Sequence, residues 1–398
     1  MDKLIQYSAA RINTVSLAFK RYLWDKINWN SRLIALTGAR GIGKTTMLLQ
    51  HIKVNLNQHP DEVFYVSMDD LYFSKNTIVE FAEEFVKRGG KYLFLDEIHK
   101  YRNWSQEIKS TYDYFGDLRV VIAGSSALDI YKGTADLSRR AVLYQMQGLS
   151  FREFIRMKYN HAFPVLSLET LLDNPSSVIS GILKEIKPIK LFEEYLQKGY
   201  YPFFADDEQT YFPRLKQTVN HVLEVDLPSV EKIDFHAVHH LRRLLSIISA
   251  IVPFKPNIHQ LSRQVGVSRE TLMKYLVLLE RADLLMLLQS GNRGISRMNK
   301  PDKIYLDNAN LMFALSDITV NTGTARETFL FNQLKEKYPV SYTETGDFLV
   351  AGKYTLEVGG RNKTRKQVAG LEHAFIAVDN IEFAFQNKIP LWLFGFLY

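Results

Sequence analysis

Between residues 31 and 150, short apolar runs alternate with longer stretches whose apolar positions recur every three or four residues. "RLIALTG" predicts a strand and "GKTTMLLQHIKVNL" a helix. "EVFYVSMDD" predicts a second strand, followed by a helix in "TIVEFAEEFVKRG" with Ile78, Phe81 and Phe85 on one face. "KYLFLDEI", "NWSQEIKSTYDYF" and "LRVVIAGSS" then read as strand, helix and strand. Strands and helices in alternation predict an α/β fold with a parallel sheet and ligands at the carboxyl ends of its strands.

The pattern changes after residue 150. "SFREFIRMKYN", "SSVISGILKEIKPIKLFEEYLQKG" and "TYFPRLKQTVNHVLEVDLPSV" are helical in period, with "YYPFFADDE" as a break. From about 238 to 305, helices in "VHHLRRLLSIISAIV", "NIHQLSRQVG" and "SRETLMKYLVLLERAD" precede strands around "GNRG", the order of a winged helix. The last hundred residues mix the helix "ARETFLFNQLKEKY" with short strands predicted in "DFLVAG", "YTLEVG", "AFIAV" and "PLWLFGFLY". Four segments are expected: a parallel α/β domain over 1–155, a helical lid or linker over 156–235, a winged helix over 236–305 and a small α/β domain over 306–398.

Composition narrows the functional classes. The chain of 398 residues is 46% hydrophobic and 23% charged, as globular proteins are. It has no cysteine, which excludes disulfides and cysteine-based zinc sites and suits a reducing cytosol, so a cytoplasmic location is expected. "MDKLIQYSAARINTVSLAFKRYLWDK" lacks the uninterrupted apolar stretch of a signal peptide, and "LLMLL" and "IPLWLFGFLY" are too short to span a bilayer; no membrane partner is expected. The net charge of +7 points to nucleic acid only if the basic residues cluster on a suitable fold.

The chemistry concentrates in "LTGARGIGKTTMLLQ". Gly38, Ala39, Arg40, Gly41, Ile42, Gly43, Lys44 and Thr45 satisfy G-x-x-x-x-G-K-[ST] between a strand and a helix, with Thr46 next to them as a further nucleotide-binding candidate. Glycines let successive N–H groups converge on phosphate oxygens, and the helix N-terminus adds its dipole. Lys44 would bridge the β- and γ-phosphates of ATP, and Thr45 would ligate Mg²⁺. The acidic partner such a loop requires is at the end of "YLFLDEI": Asp96 would hold the metal and Glu97 would polarise the attacking water. In "VVIAGSSALDI", Ser125 or Ser126 could sense the γ-phosphate, or simply cap a helix. Arg139 or Arg140, just beyond, could reach a phosphate in the same subunit or a neighbouring one.

"LTGARGIGKTTMLLQ", "YLFLDEIHK", "VVIAGSSALDI", "LSRRAVLYQMQGLSFREF", "KGYYPFF" and "DKIYLDNANLMFAL" together resemble the AAA-type ATPases of bacteria and archaea that carry a C-terminal domain of unknown function. The resemblance covers most of the chain. It favours Arg140 over Arg139, because Arg140 stands at the Arg of the family's Gly-Arg-Ala stretch and Arg139 where Gly is usual. Glu153 is retained, and Tyr200 replaces the second Gly of a Gly-Gly-Tyr-Pro element. The resemblance also implies a winged helix and a C-terminal domain similar to PD-(D/E)XK nucleases.

In "HQLSRQVGVSRETLMKYLVLLERADLL", Ser268 would cap a helix whose Leu272, Tyr275, Leu276 and Leu279 face a core. That leaves Arg269 and Lys274 toward a DNA groove, with Arg293, Arg297, Lys300 and Lys303 of the following segment on phosphates. A structural or protein-binding role suits the same pattern. Within the domain that the resemblance implies is nuclease-like, the acidic candidates are Glu327, Asp347 and Glu357, but Gly359 occupies the position of the catalytic lysine. Lys363 could substitute from four residues further on; otherwise the scaffold is degenerate. The expected function is a Mg²⁺-dependent ATPase associated with double-stranded DNA, oligomeric if Arg140 acts across subunits. The alternatives are an ATP-gated protein-binding scaffold and an active ATP-dependent DNA nuclease.

Overall fold

The computed structural model describes residues 2–124, 137, 139–230, 233–251, 253–290, 300–316, 320–363 and 370–398. They form two compact units, one of residues 1–147 and 224–233 and the other of 148–223 and 234–398.

The first unit is built on a five-stranded, wholly parallel sheet in the order β2-β3-β4-β1-β5. Its strands are β1 (Leu33–Thr37), β2 (Val63–Ser67), β3 (Tyr92–Asp96), β4 (Arg119–Ala123) and β5 (Val142–Gln145). The apolar runs of β1 and β3 are covered on both faces, which is why they do not alternate with polar residues. The helix Ile78–Lys87 shows how local sequence places the cover. Thr77 accepts from the Glu80 N–H while the Glu80 carboxylate accepts from the Thr77 N–H, a capping box that starts the helix with Ile78, Phe81, Ala82 and Phe85 inward. β5 was not expected from the sequence. It is a four-residue edge strand with Val142 and Leu143 exposed, so neither alternation nor a long apolar run announces it.

The second unit begins with the helix Phe151–Tyr159, started by a second capping box in which Ser150 and Glu153 exchange hydrogen bonds. This accounts for Glu153 as a structural acid. Helices Leu168–Asp173, Pro175–Glu185, Pro188–Lys198 and Tyr211–His221 follow, the second and third each opening on a proline. Helices Phe235–Ile251, Ile258–Val265 and Arg269–Arg281 come next, then the antiparallel pair β6 (Leu285–Leu288) and β7 (Lys303–Leu306). A separate mixed sheet, in the order β12-β11-β10-β9-β8, ends the chain. It comprises β8 (Val340–Ser341), β9 (Phe348–Val350), β10 (Tyr354–Gly359), β11 (Ala374–Val378) and β12 (Lys388–Pro390). The strand expected in "PLWLFGFLY" is instead a 3₁₀ helix over Leu391–Phe396, buried at every position. A short run apolar on all sides has no period that separates strand from helix.

"KGYYPFF" and "DNANLMFAL" turn out to explain one another. The Asn310 amide oxygen accepts from the Tyr200 N–H at 2.8 Å and from the Tyr211 hydroxyl, and its nitrogen donates to the carbonyls of Tyr195 and Leu196. Asn308 donates to the Tyr201 hydroxyl, while the Tyr200 ring packs where a Cβ on Gly148 would otherwise extend. Asn310→Ala should therefore lower stability by about 2–5 kcal/mol, since it leaves several buried polar groups unpaired. A denaturant midpoint unchanged from wild type would contradict this. Among the described residues no helix is long and apolar enough to cross a membrane.

Candidate functional site

The loop after β1 is shaped by three glycines with positive φ: Gly38 at 141°, Gly41 at 83° and Gly43 at 97°. At Gly38 a Cβ would stand 2.2 Å from the Met146 carbonyl oxygen, so a side chain is excluded by space as well as torsion. Gly43 is the left-handed N-cap of the helix Lys44–Asn55. No side chain caps that terminus and its first turn carries no acid, so its N–H groups and dipole remain suited to an anion. Thr46 is exposed in the same turn. The buried Arg21 guanidinium steadies the loop, donating to the carbonyls of Ile42 and, at 2.6 Å, Gln147. Lys44 is buried with its ammonium folded onto the loop, donating to the carbonyls of Gly38 at 2.6 Å and Ala39 at 2.7 Å.

Asp96 lies at the carboxyl end of β3, and the Thr45 hydroxyl donates to its Oδ2 at 2.6 Å. The Tyr65 hydroxyl donates to the same oxygen at 3.0 Å. Burial pushes the Asp96 carboxyl up and the neighbouring Glu97 charge adds to this, against the opposing hydrogen bonds from Thr45 and Tyr65. Glu97 has left-handed backbone, φ 50° and ψ 37°, and its N–H donates to Asp96 Oδ1 at 2.9 Å. A non-glycine residue held there stores strain of the kind found at functional sites.

Two basic side chains lie beside Glu97. Arg40 Nη1 is 3.8 Å and His99 Nε2 3.4 Å from Glu97 Oε2. Both also approach Asp226 Oδ1, at 3.4 Å and 3.6 Å, and Lys100 Nζ lies 3.4 Å from that oxygen. Asp226 is 1% exposed. Burial alone would raise its carboxyl pKa, but His99, Arg40 and Lys100 outweigh burial and hold it well below the usual carboxylate range. Arg21, His99, Lys100 and Asp226 did not figure among the residues expected at this site. His99 and Lys100 follow the Asp96–Glu97 pair after Ile98 and could have been included on spacing; Asp226, in a helical stretch more than a hundred residues later, had no signal. Ser125 lies outside the described residues. Arg140 makes a bidentate pair with Asp113, at 3.0 and 3.1 Å.

A second charged cluster occupies the other unit. Lys303 Nζ is 3.3 Å from Glu327 Oε2 and 3.1 Å from Asp347 Oδ1, and the Tyr305 hydroxyl donates to Glu327 at 3.0 Å. Glu357, on β10, pairs with Lys363, whose stem fills the space that a side chain at Gly359 would need. Burial raises the carboxyls of Glu327 and Glu357, and in both the Asp347 charge adds to it. Lys303, expected on a DNA-contacting segment, belongs to this cluster instead; the acids draw it in because a half-buried carboxylate pair needs a counter-charge. Among the described residues, no three carboxylate or histidine groups are placed to hold a metal ion.

On the helix Arg269–Arg281, capped by Ser268 as expected, Leu272, Tyr275, Leu276 and Leu279 are buried while Arg269 and Lys274 are exposed. A cleft of about 570 Å³ beside Arg269 includes Lys255, His259 and Lys300 in its lining. Arg293 and Arg297 lie outside the described residues.

Residues 30–155 match the model of a family described as an AAA domain, and residues 189–322 match one described as a domain of unknown function. An uncharacterized protein of Methanocaldococcus jannaschii is 26% identical over 373 residues, covering 86% of this chain and 78% of that protein. The structure of AMPPCP-bound DnaA from Aquifex aeolicus is similar at 15% identity with a TM-score of 0.27, over 65% of this chain and 84% of that one. The Hsp104–ADP complex of S. cerevisiae is similar at 16% identity with a TM-score of 0.31, over 70% of this chain and 40% of that one. The segment that is similar to an AAA domain, residues 30–155, contains the glycine loop and the acids of β3.

Proposed function

We propose that the chain binds ATP with Mg²⁺ at the loop of residues 38–46 and hydrolyses it. The observation that carries this reading is the 2.6 Å hydrogen bond from Thr45 to Asp96, with Lys44 and Glu97 on either side of it in the chain. Paired hydroxyl and carboxylate oxygens are the hard donors Mg²⁺ prefers, so Thr45 and Asp96 would hold it. Bound there, it would neutralise phosphate charge. Loop N–H groups would enclose the phosphates, and Lys44 would exchange the carbonyls of Gly38 and Ala39 for phosphate oxygens. Glu97 would orient the water that attacks the γ-phosphorus, accepting its proton as ADP leaves. Ser125 would sense the γ-phosphate. Arg140 would act as a finger, in its own subunit or across an oligomer, only on leaving Asp113. The test is turnover of ATP by the wild type against Lys44→Ala and Glu97→Gln; equal rates in all three would sink the reading.

The second unit, in the same proposal, carries a winged helix over 236–305 that binds double-stranded DNA through Arg269, Lys274, Arg293 and Arg297, in a cytoplasmic protein. Exposure of Arg269 and Lys274 opposite a buried apolar face supports this, as do the basic residues of the adjoining cleft. The domain over 306–398 is a nuclease-like scaffold, and its acids carry lysine partners: Lys303 for Glu327 and Asp347, Lys363 for Glu357. Duplex binding should weaken steeply with salt, and Arg269→Ala with Lys274→Ala should reduce the slope by about 2. Absence of binding at low salt would favour a protein-binding scaffold. Mg²⁺-dependent cutting of the duplex, abolished by Glu357→Gln, would favour a nuclease.

A further inference from the structure

Arg21 reaches the phosphate loop from outside the strand–loop–helix unit, and the hydrolytic reading gives it no part. The chain leading to it is fastened to the helix Lys44–Asn55. Gln50 Nε2 donates to the carbonyls of Ser16 and Phe19 at 2.7 and 2.9 Å, and Lys53 Nζ to those of Asn13 and Val15 at 2.7 and 2.9 Å. Arg21 itself is 5% exposed. One nitrogen of its guanidinium donates to the Gln147 carbonyl at 2.6 Å and another to the Ile42 carbonyl. The Tyr22 hydroxyl accepts from the Gln147 N–H at 3.3 Å, so two neighbouring side chains hold residue 147 by both its backbone groups. The carbonyl oxygen of the adjacent Met146 stands where a Cβ on Gly38 would go. The guanidinium therefore spans from the backbone packed on the first glycine of the loop to the carbonyl that precedes the last.

The Ile42 carbonyl belongs to the peptide unit that joins Ile42 to Gly43. In a planar trans peptide the C=O and the N–H point to opposite sides, so an Ile42 oxygen held on Arg21 directs the Gly43 N–H away from Arg21. Gly43 has left-handed backbone at φ 97°. Turning the peptide over would carry Gly43 into negative φ, which glycine populates about as readily, so torsional preference alone does not select the orientation. The buried guanidinium does select it. A flip would break a charge-assisted hydrogen bond and set an N–H against a cation. We propose that Arg21 is a positioning residue for nucleotide binding: by retaining the Ile42 carbonyl it keeps the Gly43 N–H turned toward the phosphates of a bound nucleoside di- or triphosphate. This role rests on the nucleotide-binding reading and adds to it a residue from outside the glycine motif. Arg21 touches no phosphate; it acts through the Ile42–Gly43 peptide. The N–H groups of such a loop enclose phosphates that ADP and ATP share, so both nucleotides depend on it alike.

The experiment titrates the full chain with ADP and with ATP, beside a thermal melt and steady-state turnover, for wild type, Arg21→Gln and Tyr22→Phe. Arg21→Gln should weaken both nucleotides by about tenfold or more, the scale of one hydrogen bond from a charged donor. Its kcat at saturating ATP should stay within about threefold, because the groups that act on the γ-phosphate are unchanged. Tyr22→Phe releases the Gln147 N–H but leaves the Ile42 carbonyl held, and its affinities should stay within about twofold of wild type. Affinities within about threefold of wild type in Arg21→Gln would overturn the proposal. An equal loss in Tyr22→Phe would also overturn it, since the effect would then be one of packing around residue 147. If Arg21→Gln does not fold, Arg21→Lys keeps the charge but not the planar fork, and must still weaken both nucleotides by about threefold or more; wild-type affinity there overturns it as well. A wild-type chain that binds neither ADP nor ATP overturns the nucleotide-binding reading and this role with it, and that result is read from the wild type alone.

Discussion

Lys44→Ala is expected to abolish measurable ATP turnover and to weaken ATP binding by a factor on the order of 100 or more. In the free chain the buried ammonium makes two hydrogen bonds, to the carbonyls of Gly38 and Ala39. Hydrogen bonds from a charged donor contribute about 1.5–3 kcal/mol each, so two such bonds to phosphate oxygens are worth roughly 3–6 kcal/mol, or 100-fold and upward in affinity. Giving up the two carbonyls offsets part of this, which places the expectation toward the lower end. The alanine variant also leaves those carbonyls without their donor, a cost of about 1–3 kcal/mol to the free protein. Titration with a fluorescent ATP analogue, beside a thermal melt, separates the two effects. Affinity within about threefold of wild type would exclude Lys44 from the phosphate site.

Glu97→Gln should bind ATP with nearly wild-type affinity and turn it over about 100-fold to 10,000-fold more slowly, the range for removing a general base. Glutamine preserves the volume at the end of β3 and has the same tolerance as glutamate for the left-handed backbone at φ 50°. What it lacks is the charge that accepts a proton and attracts Arg40 and His99. Single-turnover hydrolysis isolates the chemical step from product release, and a rate within a few-fold of wild type would assign the base elsewhere.

Much of the first unit was legible along the chain. The Gly38–Thr46 loop and the Asp96–Glu97 pair are contiguous stretches at strand ends, and strand alternation alone brings strand ends to one edge of a parallel sheet. The contact between Thr45 and Asp96 then follows, although β4 lies between their strands. The capped helix Arg269–Arg281 was legible for a similar reason, since the cap and the apolar face lie in one contiguous stretch of the chain. β5 and the end of the chain were not. A half-exposed edge strand lacks a pattern, and a wholly buried run has the same pattern in any conformation.

By itself the sequence determined the parallel α/β core, the glycine loop and the acids that face it, because each is specified by spacing within a single strand–loop–helix unit. Only the tertiary structure decided which charges meet. Arg21 on the phosphate loop, Asp226 beside Arg40, Lys303 between Glu327 and Asp347, and Lys363 over Gly359 are charges brought to their partners by the folded chain. A charged residue that will be buried against a counter-ion is written in the same letters as one that will be solvated. The difference is the desolvation cost, and that depends on what the folded chain packs around it.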